Sequence, residues 1–187
     1  MNEQLVLGLS LKEALEKEDF FISSSNLDAV TQLGNTDKWP SGVLLLVGPK
    51  GSGKTHLSTV WSQEHKAKNV KLEAVTPEME KGLDHDLVCV EDIDIIEKVE
   101  KKKKSKIEEG IFHLINSIGG RGGKLLMSSR KMPNALSIGL KDLVSRLQSF
   151  GNTIIKEPDD SLVMALLLKY FNDRQIFIKH SNLDYIA

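Results

Sequence analysis

The sequence of 187 residues lacks most features that would place a protein outside the cell, in a membrane or on bulk nucleic acid. Its single cysteine, Cys89, excludes an internal disulfide bond and favours a reducing compartment. No apolar run approaches the roughly 18 residues of a membrane-spanning helix. Glu3 stands where a secretory signal peptide needs positive charge, so we expect a cytoplasmic protein. A formal net charge of −1 implies no general attraction to nucleic acid.

The most informative stretch joins an apolar run to a glycine-rich loop. Residues 43–47 are all apolar and predict a buried strand of a parallel sheet. The next eight residues fit the phosphate-binding pattern G-x-x-x-x-G-K-[ST], in which backbone N–H groups and a helix N-terminus face the anion. We expect Lys54 to contact the β- and γ-phosphates and the Thr55 hydroxyl to bind Mg²⁺. A glycine-rich turn that binds nothing is the alternative. The predicted nucleotide-binding residues are Gly48, Pro49, Lys50, Gly51, Ser52, Gly53, Lys54 and Thr55.

A second apolar run, residues 87–90, ends in two adjacent acids and a third close by. Cys89 lies in this run and is expected to be a buried small hydrophobe. Carboxylates at the carboxyl end of a parallel strand lie at the ligand-binding edge of the sheet. Downstream of a phosphate-binding loop they predict a metal ligand, Glu91, and a group that activates the attacking water, Asp92, with Asp94 as a substitute. Ordinary strand-end acids are the alternative.

The remaining pattern alternates strands and helices. It predicts an α/β protein with a doubly wound parallel sheet of the P-loop NTPase class. Ser128 follows a third buried strand and is expected to sense the γ-phosphate, with a simple strand-end turn as the alternative. The run Lys101–Lys104 is expected to be a solvated helix end or mobile loop rather than a DNA contact. The other predicted strands are 70–75 and 153–156, and the predicted helices include 27–33, 54–66, a core stripe over 107–118, 142–149 and one capped by Asp159 or Asp160.

The ordered set of motifs resembles the DnaA/Hda branch of the AAA+ ATPases. The matching segments are residues 18–26, 48–57, 87–93, 111–116, 126–133 and 143–147. The resemblance implies that strand 125–128 lies between the other two motif-bearing strands. It also implies an N-terminal peptide and linker over 1–17, an AAA+ domain over 18–157 and a partial helical lid over 158–187. Ile22 and His56 belong to the matching motifs and join the expected ligands of ATP or ADP with Mg²⁺.

For function, the resemblance implies an Hda-type regulator that stimulates ATP hydrolysis by the initiator DnaA. Arg146 falls at the position of an arginine finger, which completes a neighbouring molecule's nucleotide site; a plain surface arginine is the alternative. The N-terminus resembles a peptide that docks on the replicative sliding clamp, and burial in the core is its alternative. The expected partners are DnaA and the clamp, and DNA is expected to be contacted through the clamp. We expect no membrane partner, and whether the chain forms a homo-oligomer is left open. The clamp-binding residues are Gln4, Leu5, Leu7 and Leu9.

Departures from the family pattern qualify this hypothesis. The order Glu91-Asp92 makes the shorter side chain the water-activating group, so we expect weak intrinsic hydrolysis. Arg130 replaces an acid expected after the sensor strand, and its role is left undecided. In this family a second arginine that contacts the nucleotide, called sensor 2, lies in the lid; here it would lie beyond Ala187, which suggests a truncated lid. The family's initiator also carries a helix-turn-helix domain after the lid. We find no residues for that domain, which disfavours the initiator itself. The rival hypotheses are a helicase-loader-like or DNA-remodelling ATPase and a small-molecule kinase.

Overall fold

The computed structural model describes residues 21–82 and 85–176. In these ranges the strands are β1 (Val43–Val47), β2 (Lys68–Val70), β3 (Leu87–Val90), β4 (Lys124–Ser129) and β5 (Gly151–Ile154). The α-helices are α1 (Leu27–Gly34), α2 (Lys54–Glu64), α3 (Lys101–Gly120), α4 (Lys141–Ser149) and α5 (Asp160–Asp173). Short 3₁₀ helices cover Thr36–Lys38, Pro40–Gly42, Leu72–Ala74, Pro77–Gly82, Ile93–Lys98 and Pro133–Ala135.

The strands form one parallel sheet of five strands in the described residues, in the order β2-β3-β4-β1-β5. Strand β4 lies between β1 and β3, as the resemblance implied, with Leu46 beside Ser128 and Val90 beside Met127. The carboxyl ends of these three strands therefore meet at one edge, where the glycine-rich loop and the acids begin. The predicted doubly wound α/β sheet of a P-loop NTPase is confirmed.

The sheet has a hydrophobic core on each face because its central strands are buried on both sides. Successive side chains of β1 alternate between the two cores: Val43, Leu45 and Val47 enter one, and Leu44 and Leu46 enter the other. The first core is covered by α3 and α4 and includes the whole predicted helical stripe, Ile107, Ile111, Leu114, Ile115 and Ile118. The second is covered by α1 and α2. Strand β1 is thus packed on both faces, and this packing fixes the point at which the glycine-rich loop begins.

Cys89 lies in the second core and is 1% exposed. Burial raises the pKa of its thiol to about 11, so the thiol stays protonated at neutral pH. A protonated, buried thiol is a poor nucleophile. The predicted role of a small buried hydrophobe is confirmed.

The predicted strand over 70–75 is wrong in its length. Strand β2 ends at Val70, and the chain then turns through Leu72–Ala74, where the Val75 N–H donates to the Leu72 carbonyl at 3.1 Å. Leu72 and Val75 are both buried in the first core. Residues three positions apart share a face in a 3₁₀ turn but lie on opposite faces of a strand. The 3₁₀ turn therefore buries both Leu72 and Val75, which a continuous strand would not.

Helix α5 begins at a side-chain cap. The Asp159 carboxylate accepts a hydrogen bond from the Leu162 N–H at 2.9 Å, as predicted, and another from the Ser24 hydroxyl at 2.7 Å. A hydrogen bond from the Ser161 hydroxyl at 2.6 Å, together with these two, lowers the pKa of Asp159. The helix leaves Leu166 and Tyr170 about half exposed. It falls in the region predicted to be a lid, whose boundaries remain a prediction, and the predicted helix beginning at Ser181 lies outside the described residues.

None of the described helices combines the length and apolar character needed to cross a membrane.

Candidate functional site

The loop after β1 wraps closely around its own backbone. Gly53 precedes α2 with φ +92°, a left-handed conformation that costs glycine little. A Cβ on Gly48 would lie 2.7 Å from both the Ile155 carbonyl oxygen and the Ser52 Oγ. The Ser52 hydroxyl is buried and has no hydrogen-bond partner in the part of the chain that the structure describes. A glycine-lined loop with an unused hydroxyl fits an anion with several oxygens.

Lys54 places its ammonium group inside this loop. Its Nζ donates to the Gly48 and Pro49 carbonyls, each at 2.8 Å, and the side chain is only 5% exposed. Burial lowers the pKa of Lys54; the nearby Asp92 carboxylate opposes this change and the Arg130 guanidinium adds to it. A desolvated ammonium gains from an anion nearby, so a bound phosphate would stabilise the charged form of Lys54.

The two predicted metal ligands lie side by side. The Thr55 hydroxyl lies close enough to the Glu91 carboxylate to act on its pKa as a hydrogen-bonding partner. Burial raises the pKa of Glu91, and the Thr55 hydroxyl and the charge of Lys54 act in the opposite direction. Hydroxyl and carboxylate oxygens are ligands that Mg²⁺ prefers, and a nucleotide-bound ion needs only one or two from the protein. The pair therefore fits a magnesium site.

Ser128 lies within β4 rather than after it, and it contacts the acid turn. It is fully buried, and its Oγ accepts a hydrogen bond from the Asp92 N–H at 2.9 Å. Asp92 has φ +52°, a left-handed conformation that is uncommon outside glycine. Ser128 therefore helps to hold the strained turn that carries the predicted water-activating group. Sensing of a γ-phosphate by Ser128 remains a prediction.

These elements line an open cleft of about 290 Å³. Its wall combines the glycine-rich loop, the first turn of α2, the acid turn and the residue after β4, through Lys50, Gly51, Gly53, Lys54, Thr55, His56, Asp92 and Arg130. The structure thus brings together most of the residues predicted to bind nucleotide. Arg130 was not assigned to this site from the sequence, although its position directly after a strand beside β1 was the available signal.

Several predicted site residues do not line this cleft. Glu91 lines a neighbouring pocket together with Asp92. Ile22 is 41% exposed and is not among the residues that line this cleft. Arg146 is exposed in the last turn of α4 and also lies outside the cleft lining. The predicted clamp-binding residues Gln4, Leu5, Leu7 and Leu9 fall outside the described residues.

Helix α4, which carries Arg146, is held at its start by a buried acid. Glu108 is 4% exposed, and its carboxylate accepts the Gly139 N–H at 3.0 Å and the Leu140 N–H at 2.9 Å. Leu140 is the residue that precedes α4, so Glu108 fixes where the helix begins. The neighbouring Glu97 accepts the Ser137 N–H at 2.9 Å in the same connection. Acids from the segment after β3 and from α3 thus position the helix of Arg146.

Replacing Glu108 with alanine is expected to lower the free energy of unfolding by about 2–4 kcal/mol, because two N–H groups in part-buried hydrogen bonds lose their charged acceptor. Urea unfolding followed by far-UV circular dichroism measures this change. The exposed neighbour Glu109 offers a matched control, and Glu109→Ala is expected to change stability by no more than about 0.5 kcal/mol. Equal effects of the two substitutions would refute the role of Glu108.

Known proteins resemble this chain over most of its length. No known family profile matches it. An uncharacterized protein of Haemophilus influenzae is 32% identical over 79% of this chain and 66% of its own length. The chromosomal replication initiator protein DnaA of Campylobacter curvus is 24% identical over 95% of this chain and 44% of its own length. This chain therefore spans about two thirds of the first relative and less than half of DnaA.

Comparison of structures identifies the same fold. The solved structure of AMPPCP-bound DnaA from Aquifex aeolicus superposes with a TM-score of 0.70 and 18% identity, covering 96% of this chain and 61% of that one. The position of β4 between β1 and β3 agrees with what the resemblance to the AAA+ ATPases implied. The chain is therefore homologous to the AAA+ domain of DnaA and has the α/β fold of the P-loop NTPases.

Proposed function

We propose that the chain is a nucleotide-binding regulator of replication initiation of the Hda type, acting in the cytoplasm. The observation that carries nucleotide binding is the cleft lined by Lys54, Thr55 and Asp92, with Glu91 next to Thr55. Similarity to DnaA, of which one solved example holds AMPPCP, supports an adenine nucleotide, ATP or ADP, as the ligand. The further steps below rest on the family resemblance.

Each residue of the cleft has a distinct task in this proposal. Lys54 binds the β- and γ-phosphates together with the backbone N–H groups of the loop. Thr55 and Glu91 hold Mg²⁺, which when bound neutralises charge on the phosphate oxygens. Asp92 orients the attacking water, and its short side chain limits the rate of intrinsic hydrolysis. Asp94 is paired with Arg130 and is therefore the weaker candidate for that task.

The regulatory step takes place on a partner. Arg146 is exposed and does not line the chain's own cleft, so its guanidinium is available to a nucleotide held by a neighbouring molecule. We propose that DnaA is that neighbour and that Arg146 stabilises the charge of the transferring phosphoryl group there. Gln4, Leu5, Leu7 and Leu9 would dock on the sliding clamp, where an amide and three apolar side chains fit an apolar pocket with a polar rim.

The test is hydrolysis of ATP by DnaA in the presence of full-length protein and DNA-loaded clamp. We expect stimulation by the wild type and its almost complete loss in Arg146→Ala, because arginine fingers contribute on the order of a thousandfold. Arg121→Ala, which removes an exposed arginine at the end of α3, is the charge-matched control and is expected to stimulate normally. Gln4→Ala/Leu5→Ala is expected to abolish binding to the clamp. Absence of stimulation by the wild type would refute the regulatory proposal.

A DNA-remodelling ATPase is the second candidate, and one observation favours it. Lys101, Lys102 and Lys103 are all exposed in the first turn of α3, where positive charge opposes the helix dipole. The negative phosphates of DNA would neutralise these lysines and so reduce their repulsion with the positive end of the helix dipole. This candidate predicts binding to DNA without the clamp, with an affinity that falls steeply as salt rises. Salt-independent or absent DNA binding would leave only the Hda-type proposal.

A further inference from the structure

The two edges of the sheet differ in the features that discourage pairing with another chain. The edge strand β2 is only three residues long and begins with the exposed Lys68, and both a short edge strand and a lysine on it discourage pairing. The opposite edge strand, β5, has the sequence Gly-Asn-Thr-Ile, which contains neither a charged residue nor proline. The edge of β5 is therefore the one that is open to another strand.

Two residues of β5 direct their backbone groups away from the sheet. The Ile155 N–H donates to the Val47 carbonyl of β1 at 2.7 Å, so the backbone at this position faces β1. Because the direction alternates along a strand, the N–H and C=O groups of Asn152 and Ile154 face the open edge. Within the described residues, no group forms a hydrogen bond with these outward N–H and C=O groups.

An open groove of about 380 Å³ lies beside this edge, between β5 and polar residues of α1. One end of the groove is set by Lys156, whose N–H donates to the Ser25 carbonyl at 2.9 Å. The segment before α1 therefore already occupies the edge at that point. A strand added in the groove would pair with Asn152 and Ile154 and would have to leave the edge before Lys156.

Thr153, between the two outward-facing residues, carries a hydroxyl that lacks a partner. The side chain is 4% exposed, and its Oγ1 has no hydrogen bond to any described residue. Buried hydroxyls are normally hydrogen-bonded, so this one indicates a missing polar partner. Thr153 also lines the groove, so a strand placed there would lie next to it. On the opposite face of β5, Ile154 is 48% exposed and equally lacks cover.

We infer that the edge of β5 pairs with the same edge of a second copy of this chain, antiparallel and about a two-fold axis at Thr153. Asn152 then lies opposite Ile154 of the second copy, and the residues of each such pair exchange two hydrogen bonds. The two Thr153 residues form the pair between them, in which side chains are closest and threonine hydroxyls bond to each other. This register uses every open backbone group and supplies the missing partner of Thr153. It does not depend on nucleotide binding.

Cysteine substitutions in the full chain test this register. In Thr153→Cys the two like residues lie directly opposite, with about 4.5 Å between Cα atoms, a separation that a disulfide bond spans. In Asn152→Cys or Ile154→Cys the like residues are diagonal neighbours about 7–8 Å apart, which is too far. We expect mild oxidation to link Thr153→Cys into dimers and to leave the other two variants unlinked, although their cysteines are more exposed.

An equimolar mixture of Asn152→Cys and Ile154→Cys should also become linked, because these positions face each other in the proposed register. The wild type is the background control, since Cys89 is buried. Linkage that is equal at the three positions, or stronger at the two exposed ones, describes random collision and overturns the inference. Failure of Thr153→Cys to form dimers overturns it as well.

Variants that block the edge give an independent test by sedimentation equilibrium. Asn152→Pro removes an outward N–H from each copy and leaves the bonds to β1 intact, because proline is tolerated where an edge N–H faces solvent. Ile154→Lys places a charge at the exposed position beside it. Each is expected to raise the dimer dissociation constant at least about tenfold, and Lys68→Ala, on the other edge, should not change it. Equal dimerisation of the wild type and both blocked variants would refute the pairing.

Amide hydrogen exchange of the wild type identifies what covers the edge. Protection of the Asn152 and Ile154 amides that rises with protein concentration supports a second copy. Interfaces of this small size are weak, so the measurements should extend to about millimolar concentration. Protection that is independent of concentration means that another segment of the same chain covers the edge, and this overturns the inference. Absence of protection throughout the range also overturns it.

Discussion

Replacing Lys54 with alanine is expected to lower the affinity for ADP and AMPPCP by at least about a hundredfold. The substitution removes the buried ammonium that sits within the glycine-rich loop, and charged hydrogen bonds to phosphate are each worth about 1.5–3 kcal/mol. Calorimetric titration in the presence of Mg²⁺ measures the change. This is the most direct test that the loop binds nucleotide.

The control for Lys54 comes from the same cleft. Lys50 also lines it but is exposed, so Lys50→Ala removes an equal charge from a hydrated position and should cost no more than about fivefold. Lys54 also holds the loop through the Gly48 and Pro49 carbonyls, so thermal unfolding must show that Lys54→Ala remains folded. Affinity within threefold of the wild type in a folded Lys54→Ala protein would contradict nucleotide binding at this site.

Replacing Trp61 with alanine is expected to lower the free energy of unfolding by about 3–5 kcal/mol. Trp61 is fully buried and anchors α2, the helix whose first turn carries Lys54 and Thr55. Its ring stacks on Trp39 with 5.2 Å between centroids, and its Nε1 donates to the Thr36 hydroxyl at 3.2 Å. The substitution therefore leaves a large cavity, loses a stacked aromatic pair and removes the hydrogen bond to the Thr36 hydroxyl.

Urea unfolding monitored by far-UV circular dichroism tests this prediction without relying on tryptophan fluorescence. Trp61→Phe keeps most of the volume and is expected to cost less than half as much. Gln63→Ala, at an exposed position of the same helix, should stay within about 0.5 kcal/mol of the wild type. A loss below 1 kcal/mol in Trp61→Ala would show that α2 is held to the sheet by other contacts.

Much of the site follows from local patterns. The glycine-rich loop and the acids after β3 were predicted because both follow continuous apolar strands, and parallel strands bring their carboxyl ends to one edge. The core stripe of α3 was predicted because its spacing matches one face of a helix. The segment after Val70 was misassigned because alternation over a few residues does not distinguish a strand from a 3₁₀ turn.

The sequence by itself determined the class of fold, the glycine-rich loop after β1 and the acids after β3, since each of these is encoded by neighbouring residues. Only the tertiary structure decided which distant side chains meet. The hydrogen bonds from the Asp92 N–H to Ser128 and from the Arg130 N–H to Asp94 each join residues 36 positions apart, and Glu108 reaches the start of α4 in the same way. Such contacts depend on strand order and on the path of the chain between strands, and local periodicity carries no information about either.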